Sequence, residues 1–403
     1  MERSVLELLF LLLPLAAASG WWLARRDLTP PGDQACGAAP ALFRGLNYLL
    51  NEQPDKAIDV LEKLAEVDGE AAEIQLALGG LFRRRGEVDR AIRIHQHLIA
   101  RDTLSREQRG FALFELAQDY MAAGLLDRAE LLFQEVIEHD VHREQALRGL
   151  SDIYQQERDW VKALEVAERL KPLTDRPMGV EIAHYHCELA EEARRAGDTP
   201  KAERHLARAQ QADPGGVRAT MLEGRMALAA GKPQRALDLF MRVADQGPPF
   251  LPEILPELVQ ALGLLGREET PLLESLAARH PSPPLMLCLA KAIERERGAS
   301  AAIDALTHYL ARHVDLAALE HLLALESQQA PEGEPGCLRR DHVVHQVVQH
   351  LLAHQSPYQC NHCGFQARAL HWRCPSCKRW GSVHPVQPEC IPGDEVLQGP
   401  RLA

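Results

Sequence analysis

The clearest chemistry in this sequence lies in four cysteines near its C-terminal end. They read Cys360-Asn-His-Cys363-Gly and Cys374-Pro-Ser-Cys377, two C-x-x-C knuckles separated by ten residues. Each knuckle can set two thiolates on one tight turn. Two such turns facing each other form a tetrahedral cage of four sulfurs, the donor set that suits zinc or iron. Cys360, Cys363, Cys374 and Cys377 are therefore the candidate ligands of one metal ion; a redox dithiol is the competing use of such pairs. A module of about forty residues cannot bury much core, so the metal is expected to hold it folded. Trp372 and Trp380 flank the second knuckle. They are expected to close over the module as its hydrophobic lid, with contact to a partner as the alternative. The remaining cysteines, Cys36, Cys187, Cys288, Cys337 and Cys390, show no paired spacing. They read as small buried hydrophobes or loop thiols, and unpaired thiols beside a thiolate cage fit a reducing compartment.

Other chemistry is hard to find. The sequence has no Gly-rich phosphate loop, no G-x-S-x-G and no H-E-x-x-H. His95 and His97, and likewise His184 and His186, stand two apart, so on a helix they do not face each other. They read as exposed or packed helix residues. A net charge of −12 repels phosphate backbones and argues against a nucleic-acid partner. The expectation is a protein that binds, with no enzymatic activity.

The elements that must position the cage are helical and repetitive. Ala57, Ala91, Ala129, Ala163, Ala202 and Ala236 recur at intervals of 34, 38, 34, 39 and 34 residues, and Ala302 continues the series two repeats later. Four places on there is often a large apolar residue: Leu61, Phe133, Leu206, Phe240, Leu306. Nine places before stands an aromatic at Tyr48, Phe82, Tyr120 and Tyr154, and five before a glycine at Gly86, Gly124, Gly197 and Gly231. Two antiparallel helices need a small residue where they cross, a bulky one beside it and a glycine in the turn. A period of 34 is that of tetratricopeptide (TPR) repeats. Asp89 and Asp127 place a carboxylate near the dipole-positive start of the second helix. Six clear repeats run from about Ala41 to Gly247, a degenerate one lies near Leu255 to His280, and another spans about Leu285 to His313. Helices at Leu316–Glu326 and Leu338–His354 are expected to close the array. Stacking of such units makes one superhelix with a concave binding surface.

Leu8 to Ala24 is an uncharged run, and extended back to Val5 it reaches twenty residues, about 30 Å as a helix and enough to cross a bilayer. Trp21 and Trp22 sit where an aromatic belt belongs, and Arg25 and Arg26 follow at once. The positive-inside rule then keeps everything C-terminal of the span in the cytoplasm. A cleaved signal peptide would carry its positive charge ahead of the apolar run.

The expected architecture is thus an all-α TPR solenoid with an N-terminal transmembrane helix and a small C-terminal four-cysteine module like a rubredoxin or zinc ribbon. Residues 1–24 form the anchor, 25–40 a linker, 41–354 the TPR superhelix with its capping helices, and 355–403 the metal-binding module and tail. The module, following the last helices across Gln355-Ser356-Pro357, is expected to pack on the array and fix its end.

Several stretches go beyond what the repeat requires. They include Leu6-Glu7-Leu8-Leu9-Phe10-Leu11-Leu12-Leu13-Pro14, Leu81-Phe82-Arg83-Arg84-Arg85-Gly86-Glu87-Val88-Asp89-Arg90-Ala91, Asp119-Tyr120-Met121-Ala122-Ala123-Gly124-Leu125, Ile182-Ala183-His184-Tyr185-His186-Cys187-Glu188-Leu189 and Trp372-Arg373-Cys374-Pro375-Ser376-Cys377. With them the chain resembles, over essentially its full length, the lipopolysaccharide assembly protein B family of Gram-negative bacteria. The resemblance implies an inner-membrane, single-pass protein with repeats and metal module on the cytoplasmic side. It implies an adaptor that lowers lipopolysaccharide synthesis by promoting degradation of the committed-step UDP-acyl-N-acetylglucosamine deacetylase of lipid A synthesis. The implied partners are the FtsH-type membrane AAA+ protease, the deacetylase as client, and a restraining YejM-type membrane regulator. Rubredoxin-type ligation falls on Cys360, Cys363, Cys374 and Cys377; the ten-residue spacer is nearer a zinc ribbon, which leaves iron and zinc both open. A general scaffold for envelope enzymes without a proteolytic role, and an iron electron-transfer protein, are the alternative functions.

Overall fold

The computed structural model describes residues 47–48, 53–67, 72–139, 142–329, 346–352 and 356–386. The expected anchor, linker, start of the last capping helix and C-terminal tail lie outside them. No helix among the described residues is long and apolar enough to cross a membrane. Two compact units divide the chain, residues 1–153 and 154–403, and each is described by itself.

The first unit holds α1 (Pro54–Val67), α2 (Ala72–Arg85), α3 (Val88–Ile99), α4 (Arg106–Ala122) and α5 (Leu126–Glu138), and the division falls within α6 (Arg143–Glu157). α2 pairs with α3 and α4 with α5. The helices end where the sequence tells them to. Ser105 and Gln108 make a reciprocal capping box at the start of α4, and Gly86 and Gly124 take positive φ in the turns between paired helices, a conformation that costs glycine nothing. Ala57, Ala91 and Ala129 are fully buried, as are Leu61 and Phe133. The register is that of the sequence pattern.

One position breaks the pattern. Four places after Ala91, in the slot filled by Leu61 and Phe133 in neighbouring repeats, stands His95, and it is completely buried. A polar ring in this slot needs a partner. Asp119 of α4, equally buried, supplies one: its Oδ2 lies 2.5 Å from His95 Nδ1. Arg83 completes the set, donating to Asp119 Oδ1 at 2.7 Å and Glu115 Oε2 at 2.6 Å.

The second unit continues with α7 (Trp160–Leu170), a 3-10 turn (Lys171–Leu173), α8 (Gly179–Arg195), α9 (Thr199–Ala212), α10 (Val217–Ala229) and α11 (Pro233–Gln246). A 3-10 segment (Pro248–Ile254) leads into α12 (Leu255–Leu264), α13 (Thr270–Arg279), α14 (Pro283–Arg297), α15 (Ala299–Leu310) and α16 (Leu316–Gln329). Asp159 and Asp198 cap α7 and α9, accepting from the amides of Lys162 and Lys201. Ala163, Ala202, Ala236 and Ala302 are fully buried. The core of the later repeats is one cluster running from Val217 to Leu325 through Phe240, Leu258, Leu273 and Leu306. Residues 346–352 are helical, consistent with the expected second capping helix.

Because the repeat alanines sit at helix crossings, Ala129→Trp is expected to overpack the α4–α5 contact and destabilise by about 1–3 kcal/mol or more. A lowered thermal midpoint would show this, and wild-type melting would contradict the register.

The last element is a three-stranded antiparallel sheet, β1 (Tyr358–Cys360), β2 (Gln366–Ala367) and β3 (Val383–Pro385), in the order β2-β1-β3. Tyr358 pairs with Ala367 on one side and Pro385 on the other.

Candidate metal centre

The sheet sets up the first knuckle, since Cys360 ends β1. The two knuckles have the same backbone. The amide of Cys360 donates to the Phe365 carbonyl and that of Gly364 to the Cys360 carbonyl; Cys374 to Arg379 and Lys378 to Cys374 repeat the arrangement. The fifth residue of each turn is left-handed, Gly364 at φ 74° and Lys378 at φ 61°. Each turn aims amides at sulfur: His362 and Cys363 toward Cys360, Ser376 and Cys377 toward Cys374.

The four cysteines are free of disulfides, and their sulfurs all lie within 4.8 Å of one another. Cys360 to Cys377 and Cys363 to Cys374 are each 3.7 Å. Zinc–sulfur bonds of about 2.3 Å in a tetrahedron give an edge of about 3.75 Å. Two of the six sulfur–sulfur edges therefore already match a single tetrahedral ion, and the rest lie within 4.8 Å. Cys360 and Cys374 are buried and Cys363 is exposed. Burial raises the Cys360 thiol, but Ser382 and the amides of Cys363 and His362 outweigh it and bring the thiol down to about 5. Cys374 stays pushed up at about 11 by burial. Four thiolates this close repel one another, and a cation lets all of them ionise. Cys187, buried in α8 and pushed up to about 12 by that burial, is an inert core thiol, as its unpaired spacing suggested.

The module has its own small core of Cys360, Cys374 and Val383 with Tyr358, Phe365 and Leu370. Trp372 and Trp380 are not its lid. They turn outward onto the repeats of the same unit. Trp372 stacks on Phe250 at 5.5 Å and 19°. Trp380 stacks on His184 at 5.0 Å, meets Trp160 and Tyr185 edge-on, and donates from Nε1 to Gln155 Oε1 at 2.9 Å. Gly381, at φ 60°, lies so close to His184 and Val180 that a Cβ there would touch both. The Tyr358 hydroxyl donates to Glu253 at 2.5 Å. The physical reason for the difference is size: the sheet and the sulfurs leave no interior for two indoles, whereas α7, α8 and Phe250 offer a ready aromatic surface. For the same reason the module packs on the array at α7, α8 and the 3-10 segment.

Beneath Trp372 lies Arg218, buried, its guanidinium 5.5 Å from the indole and bonded to Glu188 and Glu191 at 2.8 and 2.9 Å. A crevice of about 380 Å³ remains there, lined by His184, Arg218, Phe250, Trp372 and His384. Neither Arg218 nor this seat is signalled by spacing; His184 and His186 are both packed helix residues, one of the two readings their spacing allowed.

Burial, then the charge of Arg218, drive His184 down to about 3. The folded state refuses a proton that the unfolded chain takes up near the ordinary value of 6.5. The contribution is therefore complete above that value and is lost as pH falls toward 3. Acidification from about pH 7 to about pH 5 is expected to cost about 2 kcal/mol through this one ring. His184→Gln should flatten the stability–pH curve in that interval, as read by denaturant unfolding, and an unchanged slope would contradict it.

Comparison with known proteins agrees with this geometry. Residues 358–385 match the family described as the rubredoxin metal binding domain, and residues 44–100, 114–176 and 187–249 match the tetratricopeptide repeat. Lipopolysaccharide assembly protein B of Escherichia coli K12 is 37% identical over 386 residues, covering 95% of this chain and 99% of that protein. The Haemophilus influenzae protein of the same name is 34% identical over 395 residues, covering 95% and 98%. A crystal structure of a tetratricopeptide repeat protein from Parabacteroides merdae covers 77% of this chain and 98% of its own at 11% identity and a TM-score of 0.34, a likeness too slight to carry weight. With a third or more of its residues shared along nearly its whole length, the chain belongs to the lipopolysaccharide assembly protein B family.

Proposed function

We propose that this protein is a non-enzymatic regulator of lipopolysaccharide synthesis, acting as a membrane-held adaptor. Family membership at 37% identity over 95% of the chain carries the reading, and the repeats, built to bind other proteins, support it. In this reading residues 1–24 anchor the chain in the inner membrane, 25–40 link the anchor, and 41–354 form the repeat array on the cytoplasmic side. Residues 355–403 form the metal module and tail. Cys360, Cys363, Cys374 and Cys377 ligate one ion, zinc or iron, which supplies rigidity to the two knuckles. The array holds the UDP-acyl-N-acetylglucosamine deacetylase near an FtsH-type protease, and a YejM-type protein restrains it. Confinement to the membrane raises the effective concentration of client at a membrane protease.

Depletion of the protein should lengthen the half-life of the deacetylase and raise lipopolysaccharide. An unchanged half-life would overturn the proteolytic part of the proposal. In-cell crosslinking that recovers several synthetic enzymes and no protease would replace it with a scaffold.

A further inference from the structure

The four sulfurs do not share one environment. Cys363 is exposed, so water can solvate its thiolate. Cys360 is buried at the end of β1 and must find its donors within the protein. Two come from the amides of His362 and Cys363. A third group stands ready outside the knuckles: the Ser382 hydroxyl oxygen lies 3.4 Å from Cys360 Sγ.

Ser382 is held in place independently of its side chain. Its carbonyl accepts from the Asn361 amide at 2.8 Å, so the residue is pinned to the knuckle beside β3. Its hydroxyl donates to the Arg379 carbonyl at 3.1 Å. That carbonyl already accepts from the Cys374 amide at 2.9 Å, so it loses little if the hydroxyl turns away. While Cys360 is a thiol, its S–H can donate to Ser382. Once the proton has gone, the sulfur accepts only, and the hydroxyl has one direction in which to gain.

The geometry points to Ser382 as the outer hydrogen-bond donor that retains metal at Cys360. This rests on the reading of the four cysteines as ligands of one ion. Rotation of the hydroxyl from Arg379 to the ligand sulfur offsets charge at the one ligating position shown to combine burial with a neighbouring hydroxyl. Outer partners of this kind are worth about 10- to 100-fold in metal affinity. Ser376 provides an internal contrast. Its side chain bonds Cys363, but that sulfur is open to solvent, and water can replace the bond.

The test uses the full chain loaded with zinc, with release followed in excess chromogenic chelator, and with cobalt(II) as a spectroscopic probe of the sulfur-to-metal band. Ser382→Ala should release zinc about 10-fold faster or more and shift the cobalt band. Ser382→Thr, which keeps the hydroxyl, should restore both, and Ser376→Ala should change release by less than about 3-fold, as an exposed donor does. Wild-type release and band from Ser382→Ala would overturn the inference while leaving the metal reading intact. Faster release that Thr does not restore would also overturn it, by assigning the effect to packing. A wild-type chain that takes up neither zinc nor cobalt would instead sink the ligand reading itself.

Discussion

Cys374→Ser is expected to strip the C-terminal module of its metal and its fold together, while the repeats keep their helices. Cys374 is wholly buried, and a serine hydroxyl is a poor substitute for a thiolate at a zinc or iron site. The core around it consists of little more than Val383, Tyr358, Phe365 and Leu370, too small to stand alone. Structural zinc sites of this type supply about 10–16 kcal/mol at neutral pH, and that energy is folding energy. Metal analysis should fall from one ion per chain toward none. Far-UV circular dichroism should change little, because the strands are short and the helices many. Hydrogen exchange should rise around Trp160, Tyr185 and Phe250, which lose their covering of Trp372 and Trp380. A variant that retains a full equivalent of metal would contradict the ligand assignment.

The second large effect is expected far from the sulfurs. Asp119→Ala removes the one carboxylate that serves both His95 and Arg83. Arg83 keeps Glu115, but the buried ring of His95 is left without its partner at Nδ1. Breaking a buried pair from one side costs about 3–5 kcal/mol, on the order of 10 °C in melting temperature for a unit of this size. The loss should be conditional on the histidine. With His95→Phe, which restores the residue type seen at Phe133 and Phe240, Asp119→Ala should cost much less than it does alone. The two changes must then be strongly non-additive, and simple additivity in thermal or urea unfolding would show that the pair is not coupled.

What the sequence disclosed, and what it hid, follows from how local each cause is. The repeat alanines and the glycine turns are local: a helix crossing tolerates only a small residue, and the turn needs positive φ. The register was therefore legible from Ala57 to Ala302. It even reaches a turn without glycine, because Arg158, five before Ala163, takes φ 59°. The knuckles are local too, with both pairs of cysteines three apart. His95 was opaque because its justification, Asp119, lies 24 residues away in a different helix. A histidine in an apolar slot four after an alanine, with an acid near the following repeat's tyrosine, would have been the signal. The tryptophans were misread for the same reason. Their type and closeness to the cysteines suggested a lid, but their partners stand far back in the sequence, where aromatic residues also serve as ordinary helix packing.

The bond between Trp380 and Gln155 spans 225 residues, and this distance has a temporal side. During synthesis the seat formed by Trp160, Tyr185 and Phe250 is complete once residue 250 has left the ribosome, yet its covering indoles are still to be made. At about 5–20 residues per second the nascent chain carries this bare aromatic surface for on the order of ten seconds. A molecular chaperone, or a pause in translation, then has a defined place at which to act.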